Sequence, residues 1–412
     1  MMNIMVKRTI SDKLAILADA AKYDASCASS GGQKRSSTDG KGLGSSGGAG
    51  ICHAYAPDGR CISLLKILMT NFCIYDCAYC INRASSHVER ARFSVEEVVS
   101  LTVEFYRRNY IEGLFLSSGI IRSPDDTMAD MVRIARTLRQ QENFRGYIHL
   151  KTIPDAAPEL IDEAGKWADR LSINVELPTD KGLSDYAPEK SAQTIRTAMA
   201  EVRNRREAAK ERSHRGRRAG RFAPAGQSTQ MIVGADAAHD GEILHSASRL
   251  YSGYHLSRVY YSAFSPIPDA SKLLPLKRPP LMREHRLYQA DWLMRFYGFE
   301  AGEIAPPSGM LDLEVDPKMA WALAHRDQFP VDVNRAPKEL LLRVPGFGTR
   351  SVERILTARR HGVLRYETLV KIGCVMKHAR PFITLPGWTA RSLDAQDLRA
   401  RFAPPPEQLS LF

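Results

Sequence analysis

The chain has 412 residues, 44% of them hydrophobic and 25% charged, with a formal net charge of +12. That length and apolar content exclude a disordered polypeptide and predict one large core with a smaller appended domain. No run approaches the roughly 20 apolar residues that cross a bilayer, and Met1 to Lys7 lack the apolar stretch and cleavage site of a secretory leader, so a cytoplasmic location is expected. The positive charge points to a polyanionic partner, and seven cysteines in a reducing compartment point away from disulfides and towards a metal or a cluster.

In chain order, Ile10 to Tyr23 carries apolar residues at Leu14, Ile16, Leu17 and Ala21, the spacing of a short amphipathic helix opened by Ser11. Residues Ser29 to Gly50 are Gly- and Ser-rich and bury too little to offset the entropy of ordering, which predicts a loop. From Cys61, short apolar runs alternate with helical patterns. Strands are expected at Leu64–Met69, Gly113–Ser117, Tyr147–Leu150, Arg170–Val175, Thr229–Val233 and Arg258–Phe264. Helices are expected after Ser94, from Asp126 to Gln141, after Pro158, after Ser191 and near Glu242. Strands separated by helices imply a parallel sheet with right-handed crossovers, an open sheet or a partial barrel, with chemistry at the C-terminal strand ends. Arg203 to Arg221 is dense in positive charge and reads either as a solvated helix face or as a phosphate-contacting arm. Beyond the Pro-rich stretch Pro266 to Pro280, an apolar and aromatic helix is expected at Glu284 to Tyr297, and Pro404 to Pro406 open an extended tail.

The strongest local signal is Cys73-Ile74-Tyr75-Asp76-Cys77-Ala78-Tyr79-Cys80, directly after the first of these strands. Three thiolates at spacings of four and three can each hold one iron of a cubane cluster and leave the fourth iron open for a substrate or cofactor. A zinc ribbon would need a second cysteine pair, and Cys27, Cys52, Cys61 and Cys374 do not offer one. Cys27, Cys52 and Cys61 read either as buried apolar thiols, the preferred reading, or as ligands of a second cluster.

The loop resembles the hallmark of the radical S-adenosylmethionine (SAM) superfamily, a Cys-x-x-x-Cys-x-aromatic-Cys segment, matched by Cys73, Cys77, Tyr79 and Cys80. The resemblance implies a 4Fe-4S cluster on the three cysteines and SAM on the open iron. It also implies cleavage to a 5′-deoxyadenosyl radical, an electron donor such as flavodoxin or ferredoxin, and a partial (β/α)6 barrel. By the same resemblance Ser117, Ser118 and Gly119, standing where the superfamily has a Gly-Gly-Glu type turn, meet the SAM amino group. Asn174 and Glu176 meet the ribose, Gln230 flanks the adenine, and Lys151 pairs with the SAM carboxylate or is solvated. From Cys52 to about Trp292 the chain is also similar to a family of DNA modification/repair radical SAM proteins. The runs that carry this are Asp58-Gly59-Arg60-Cys61, Phe105 to Leu116, Gly226 to Gly234 and Arg286 to Trp292.

Leu341 to Ile355 contains Pro345-Gly346-Phe347-Gly348-Thr349-Arg350 and reads as helix, tight turn, helix, with unblocked N–H groups at the start of the second helix. It resembles the helix-hairpin-helix element of DNA repair proteins. Gly346 and Gly348 are then expected to hold a phosphate, with help from Arg350, Arg354, Arg359 and Arg360. A degenerate second copy is expected at Leu369 to Gly373 and Lys377 to Phe382, making a compact four-helix unit. The last five residues, Gln408-Leu409-Ser410-Leu411-Phe412, resemble the bacterial sliding-clamp-binding motif, with Gln408, Leu409, Leu411 and Phe412 as the contacts.

The resulting expectation is an α/β protein: an N-terminal helix and loop (1–50), a radical SAM core (51–300), a connector (301–330), a small all-α helix-hairpin-helix region (331–387) and a tail (388–412). The expected activity is radical modification or repair of DNA. An RNA-modifying radical SAM enzyme and a non-catalytic iron-sulfur DNA-binding protein are the alternatives.

Overall fold

The computed structural model describes residues 8–21, 51–55, 61–214, 221–267, 271–390 and 393–403. The Gly- and Ser-rich segment, Cys27, the basic residues 215–220 and the C-terminal Gln408, Leu409, Leu411 and Phe412 lie outside the described residues. The described residues divide into two compact units, one within 1–238 and 249–279, the other within 239–248 and 280–412.

The first unit begins with helix α1 (Ile10–Ala21) and continues through β1 (Ile51–Tyr55), β2 (Cys61–Leu68), α2 (Val95–Arg107), β3 (Gly113–Ser117), α3 (Pro124–Gln140) and β4 (Tyr147–Lys151). Then come α4 (Pro158–Trp167), β5 (Arg170–Ser172), α5 (Asp180–Tyr186), α6 (Ala192–His214), β6 (Gly226–Val233), α7 (Asp240–Tyr254), of which only residues 249–254 fall in this unit, and β7 (Arg258–Ala263). The seven strands form one sheet in sequence order, β2 to β7 parallel, curled into a half barrel. This is the α/β architecture expected, with one addition. Strand β1 runs antiparallel to β2 and extends the edge of the sheet, a hairpin the apolar-run pattern did not reveal because His53 interrupts Ile51-Cys52-His53-Ala54-Tyr55.

Successive residues of each strand point to opposite faces of the sheet. One face carries Leu65, Ile67, Leu114, Leu116, Ile148, Leu150 and Leu171, all fully buried. The other carries Lys66, Phe115, His149 and Arg170 on one rung, by the register Lys66–Phe115, Phe115–His149 and His149–Arg170. Ser117, Lys151 and Ser172 follow two residues further along the same three strands, so every polar strand-end group points to the same side. Helix starts match their local chemistry. Ser94 caps α2 through a reciprocal capping box with Glu97, and Ser123 caps α3 just before Pro124.

Strand β5 is shorter than the sequence implied. It ends at Ser172 because Val175 N–H is taken by the Thr229 hydroxyl at 3.0 Å and Glu176 adopts a left-handed backbone, φ +66°. The chain leaves the ladder there and returns for one bridge, Glu176 to Met231.

The second unit contains α8 (Leu281–Phe296), α9 (Ala301–Ile304), α10 (Pro317–Ala324), β8 (Val331–Asp332), α11 (Lys338–Arg343), α12 (Thr349–Ala358), α13 (Tyr366–Ile372), α14 (Met376–Ala379) and β9 (Ile383–Thr384). Helices α11 and α12 form one pair and α13 and α14 a second. The turns of the two pairs meet: Val375 N–H donates to Gly346 O at 3.0 Å. Gly346 has φ +82°, and a Cβ there would lie 2.4 Å from Val375 O, so only glycine fits this contact. Gly373 ends α13 in the same left-handed conformation, φ +93°. The short parallel pair β8–β9 closes the bundle, and Phe347 and Phe382 fill it.

Candidate cluster and cofactor site

Residues 69 to 93 form a long loop leaving β2. Its base is pinched by Met69 N–H to Ser117 O (2.8 Å) and Phe93 N–H to Met69 O (2.9 Å). Arg90 reaches back through it, its guanidinium donating to the carbonyls of Asn71, Asn82 (2.9 Å), Arg83 (2.6 Å) and Ser86 (3.0 Å). A loop of irregular backbone must satisfy its own carbonyls, and the planar five-donor guanidinium does this for four of them. Inside the loop, Cys80 N–H donates to Cys77 O at 2.9 Å, and the Cys80 sulfur accepts from Asn82 N–H at 3.4 Å. The end of α5 and the segment after it hold the other side, with Ala78 N–H to Tyr186 O (2.7 Å) and Asp76 N–H to Glu189 Oε1 (2.9 Å).

Cys73, Cys77 and Cys80 line a cavity of about 180 Å³ at the C-terminal strand ends. Tyr79, Ser117, Ser118, Gly119, Lys151, Asn174, Glu176 and Gln230 line it as well, so every residue proposed from the sequence for the cofactor stands there. Burial pushes the Cys77 thiol up to about 12 and the Cys80 thiol up to about 11. Iron bound by these sulfurs would therefore displace their protons, so cluster assembly here would release protons.

The sequence reading missed Lys190. Its ammonium lies 2.6 Å from Glu176 Oε1, and both side chains are largely buried in the cavity wall. Burial alone would discharge Lys190, but the Glu176 carboxylate overrides it and holds the ammonium well above its ordinary range. Asn174 Nδ2 completes the group, 3.4 Å from Glu176 Oε2 and 3.4 Å from Gln230 Oε1. Tyr75, a further lining residue, donates its hydroxyl to Asp155 Oδ2 at 3.2 Å. Lys190 was invisible because it sits in a polar stretch after α5, and only the return of that stretch over the cysteine loop brings it inward.

Three observations test whether these residues suit a cluster and a SAM molecule. The Tyr79 hydroxyl is buried in the cavity wall with no hydrogen-bond partner among the described residues, an orphan that calls for an occupant. A Cβ at Gly119 would lie 2.2 Å from Phe72 O, so the end of β3 approaches the cysteine loop as closely as a backbone can. No three His, Cys, Asp or Glu side chains among the described residues are placed to hold a single metal ion. A cubane does not ask that of them, since it takes one thiolate per iron corner. The residues fit.

Residues 67–220, a little over a third of the chain, match the family profile of the Radical SAM superfamily. The chain carries a radical SAM domain. Superfamily members use a 4Fe-4S cluster and SAM, which when bound supply one-electron cleavage of the sulfonium. Among solved structures, the [FeFe]-hydrogenase maturase HydG from Carboxydothermus hydrogenoformans is 14% identical at TM-score 0.41, over 55% of this chain and 50% of that one. Methylornithine synthase is 15% identical at 0.40, over 54% and 60%. Coproporphyrinogen III oxidase from Escherichia coli is 16% identical at 0.36, over 54% and 50%. The chain thus spans about half to three-fifths of the length of these proteins, and the assignment rests on the family match and the cysteine site rather than on these likenesses. No curated protein sequence matches the chain.

Toward the domain's cofactors, the chain's own residues do the following. Cys73, Cys77 and Cys80 are the thiols that would hold the cluster. Gly119 and the Ser118 hydroxyl, which donates to Gly119 O at 2.7 Å, shape the backbone turn facing it. Glu176, Asn174 and Gln230 present a fixed polar wall, held in place by Lys190.

The other residues proposed from the sequence lie in the second unit. Gly348 precedes α12 with ordinary backbone angles, and a Cβ on it would meet nothing closer than 3.8 Å. Its N–H meets no acceptor among the described residues. Gly346 in addition serves the turn and its packing against Val375, and its N–H likewise meets no acceptor among the described residues. Arg350 and Arg354 line an open groove with Glu353, Thr357, Lys371 and Ile372, and Arg354 Nη1 donates to Ile372 O at 3.0 Å. Arg359 is used internally, donating to Ala336 O at 2.7 Å.

In the first unit, the described part of the basic stretch is also tied down. Arg203 donates to Gly253 O (2.6 Å), Arg205 pairs with Asp162 (3.1 Å) and Arg221 pairs with Asp169. The solvated-face and phosphate-arm readings both overlooked these bonds.

Proposed function

We propose that the chain is a radical SAM enzyme that modifies or repairs DNA. The observation that carries the DNA assignment is the pair of interlocked glycine turns in the second unit, with Gly348 N–H open at the head of α12 and Arg350, Arg354 and Lys371 along the adjoining groove. Such a surface grips a phosphodiester backbone without reading bases. The net charge of +12 supports the same partner. In this reading the C-terminal Gln408 to Phe412 dock on the sliding clamp and bring the enzyme to replicating or repaired DNA, and a flavodoxin or ferredoxin supplies electrons.

Anaerobic incubation with SAM, a reductant and defined duplexes, followed by mass spectrometry of the nucleosides, tests the assignment. Altered deoxynucleosides together with 5′-deoxyadenosine are expected. Turnover of SAM with RNA and none with any DNA would sink the reading and favour an RNA substrate.

A further inference from the structure

Lys318, near the start of α10, is 8% exposed, and it has no role in the site described above. Its ammonium donates to Phe347 O at 2.6 Å and lies 4.7 Å from the centre of the Tyr297 ring. No carboxylate among the described residues forms an ion pair with it. Asp316 is the acid nearest in effect, and its side chain is engaged by the N–H groups of Lys318 and Met319. The adjacent Arg343, unlike Lys318, has a carboxylate of its own, Glu303 at 2.9 Å. A desolvated cation whose strong partner is a single carbonyl is costly unless a further negative charge comes close.

Phe347 O and Gly348 N–H belong to one peptide unit, and that unit is trans. Carbonyl and N–H of a trans peptide point in opposite directions. The ammonium therefore sits on the inner side of the turn, and the N–H that meets no protein acceptor points away from it. A cation on the carbonyl draws electron density from the amide and strengthens its N–H as a donor, because successive hydrogen bonds polarise one another.

Resting on the DNA reading above, we infer that Lys318 is the internal counter-charge of the phosphate bound at Gly348: its ammonium polarises the Phe347–Gly348 peptide and supplies from beneath the turn the positive charge that a phosphodiester meets. Burial lowers Lys318 to about 7, with Arg343 pushing the same way and Asp316 opposing. The grip is consequently strongest below neutrality and weakens as pH rises through it. The groups that face this cluster are Asp316, Arg343, Tyr297 and, across the turn, His378, whose Cβ would lie 3.2 Å from one on Gly346.

The test is fluorescence anisotropy of the full chain with one labelled duplex at about pH 6 and about pH 8, for wild type, Lys318→Met, His378→Gln and Gly348→Val. Wild type and His378→Gln should lose roughly five- to tenfold in affinity across that range, the effect of one charge-assisted contact. Lys318→Met should bind weakly at both values and show no such loss. Wild-type affinity and pH dependence in a folded Lys318→Met would overturn the inference. Full binding by Gly348→Val would instead overturn the hairpin reading on which it rests. If Lys318→Met does not fold, the Gly348 amide resonance of His378→Gln decides: it should shift with a midpoint near 7, and a resonance unmoved between about pH 6 and about pH 8 would refute the polarised peptide.

Discussion

As cluster ligands, Cys73, Cys77 and Cys80 would act as a set, since a cubane that loses one thiolate would find no side chain beside it of comparable affinity for iron. Cys77→Ala should therefore fall from about four irons per chain to nearly none after anaerobic reconstitution, and 5′-deoxyadenosine formation should fall with it. Cys374→Ser, altered in the second unit, should leave both unchanged, and colorimetric iron and sulfide assays separate the two. Lys318 gives a prediction on stability with its sign fixed by linkage. Its folded value near 7 lies below the ordinary 10.5, so between them the unfolded chain binds more protons than the folded one. Stability from this group is therefore fully present above about pH 10 and lost as pH falls through 7. Thermal midpoints of wild type should rise between about pH 7 and about pH 9, by more than those of Lys318→Met. A larger rise in the variant would show that the burial penalty lies elsewhere.

At the scale of the element, the cysteine loop is held by its surroundings rather than by regular structure. Arg90→Met leaves every thiol in place but strips four carbonyls of their donor, a loss on the order of 3 kcal/mol concentrated in the loop. Slower and less complete cluster loading is expected from iron-uptake kinetics, with α2 still formed by circular dichroism because its Ser94–Glu97 capping box is independent. The two turn glycines should separate cleanly. Gly346→Ala places a Cβ against Val375 O in a left-handed backbone and should cost at least about 1 kcal/mol. Gly348→Ala should be close to neutral, because its backbone is ordinary and the space is open. Chemical denaturation of the two variants compares them directly, and equal losses would contradict the packing role given to Gly346.

For the molecule as a whole, the proposed clamp tail and the radical SAM domain are chemically separable. Removing Leu411 and Phe412 takes away two apolar side chains, each contributing roughly 1.5–3 kcal/mol on burial, and should abolish binding to the clamp in surface plasmon resonance. SAM cleavage by the truncated chain should be unchanged, since every group lining the cofactor cavity lies between Ala20 and Ile232. Persistent clamp binding would assign that contact to another surface. DNA binding should fall steeply with added salt, since phosphate contacts act largely by releasing counterions.

The cysteine spacing, the alternation of strands and helices and the Gly-x-Gly turn were legible in the sequence because each is a local pattern, governed by thiolate coordination, by the periods of strand and helix, or by backbone angles that favour glycine. Most element positions followed from the same periodicities. What no local pattern carries is which distant groups meet. Lys190 reaches Glu176 only because a polar segment folds back over the cysteine loop. Strand β5 ends early because a hydroxyl on β6 takes its N–H. Gly346 and Gly348 look alike in the sequence, yet only Gly346 packs so closely against Val375 that no side chain fits there. Lys318 precedes Gly348 by thirty positions and gives no local sign of a role. Its partner, its burial and its lowered proton affinity arise from tertiary structure alone, because desolvation and charge proximity depend on distance in space and not on distance along the chain.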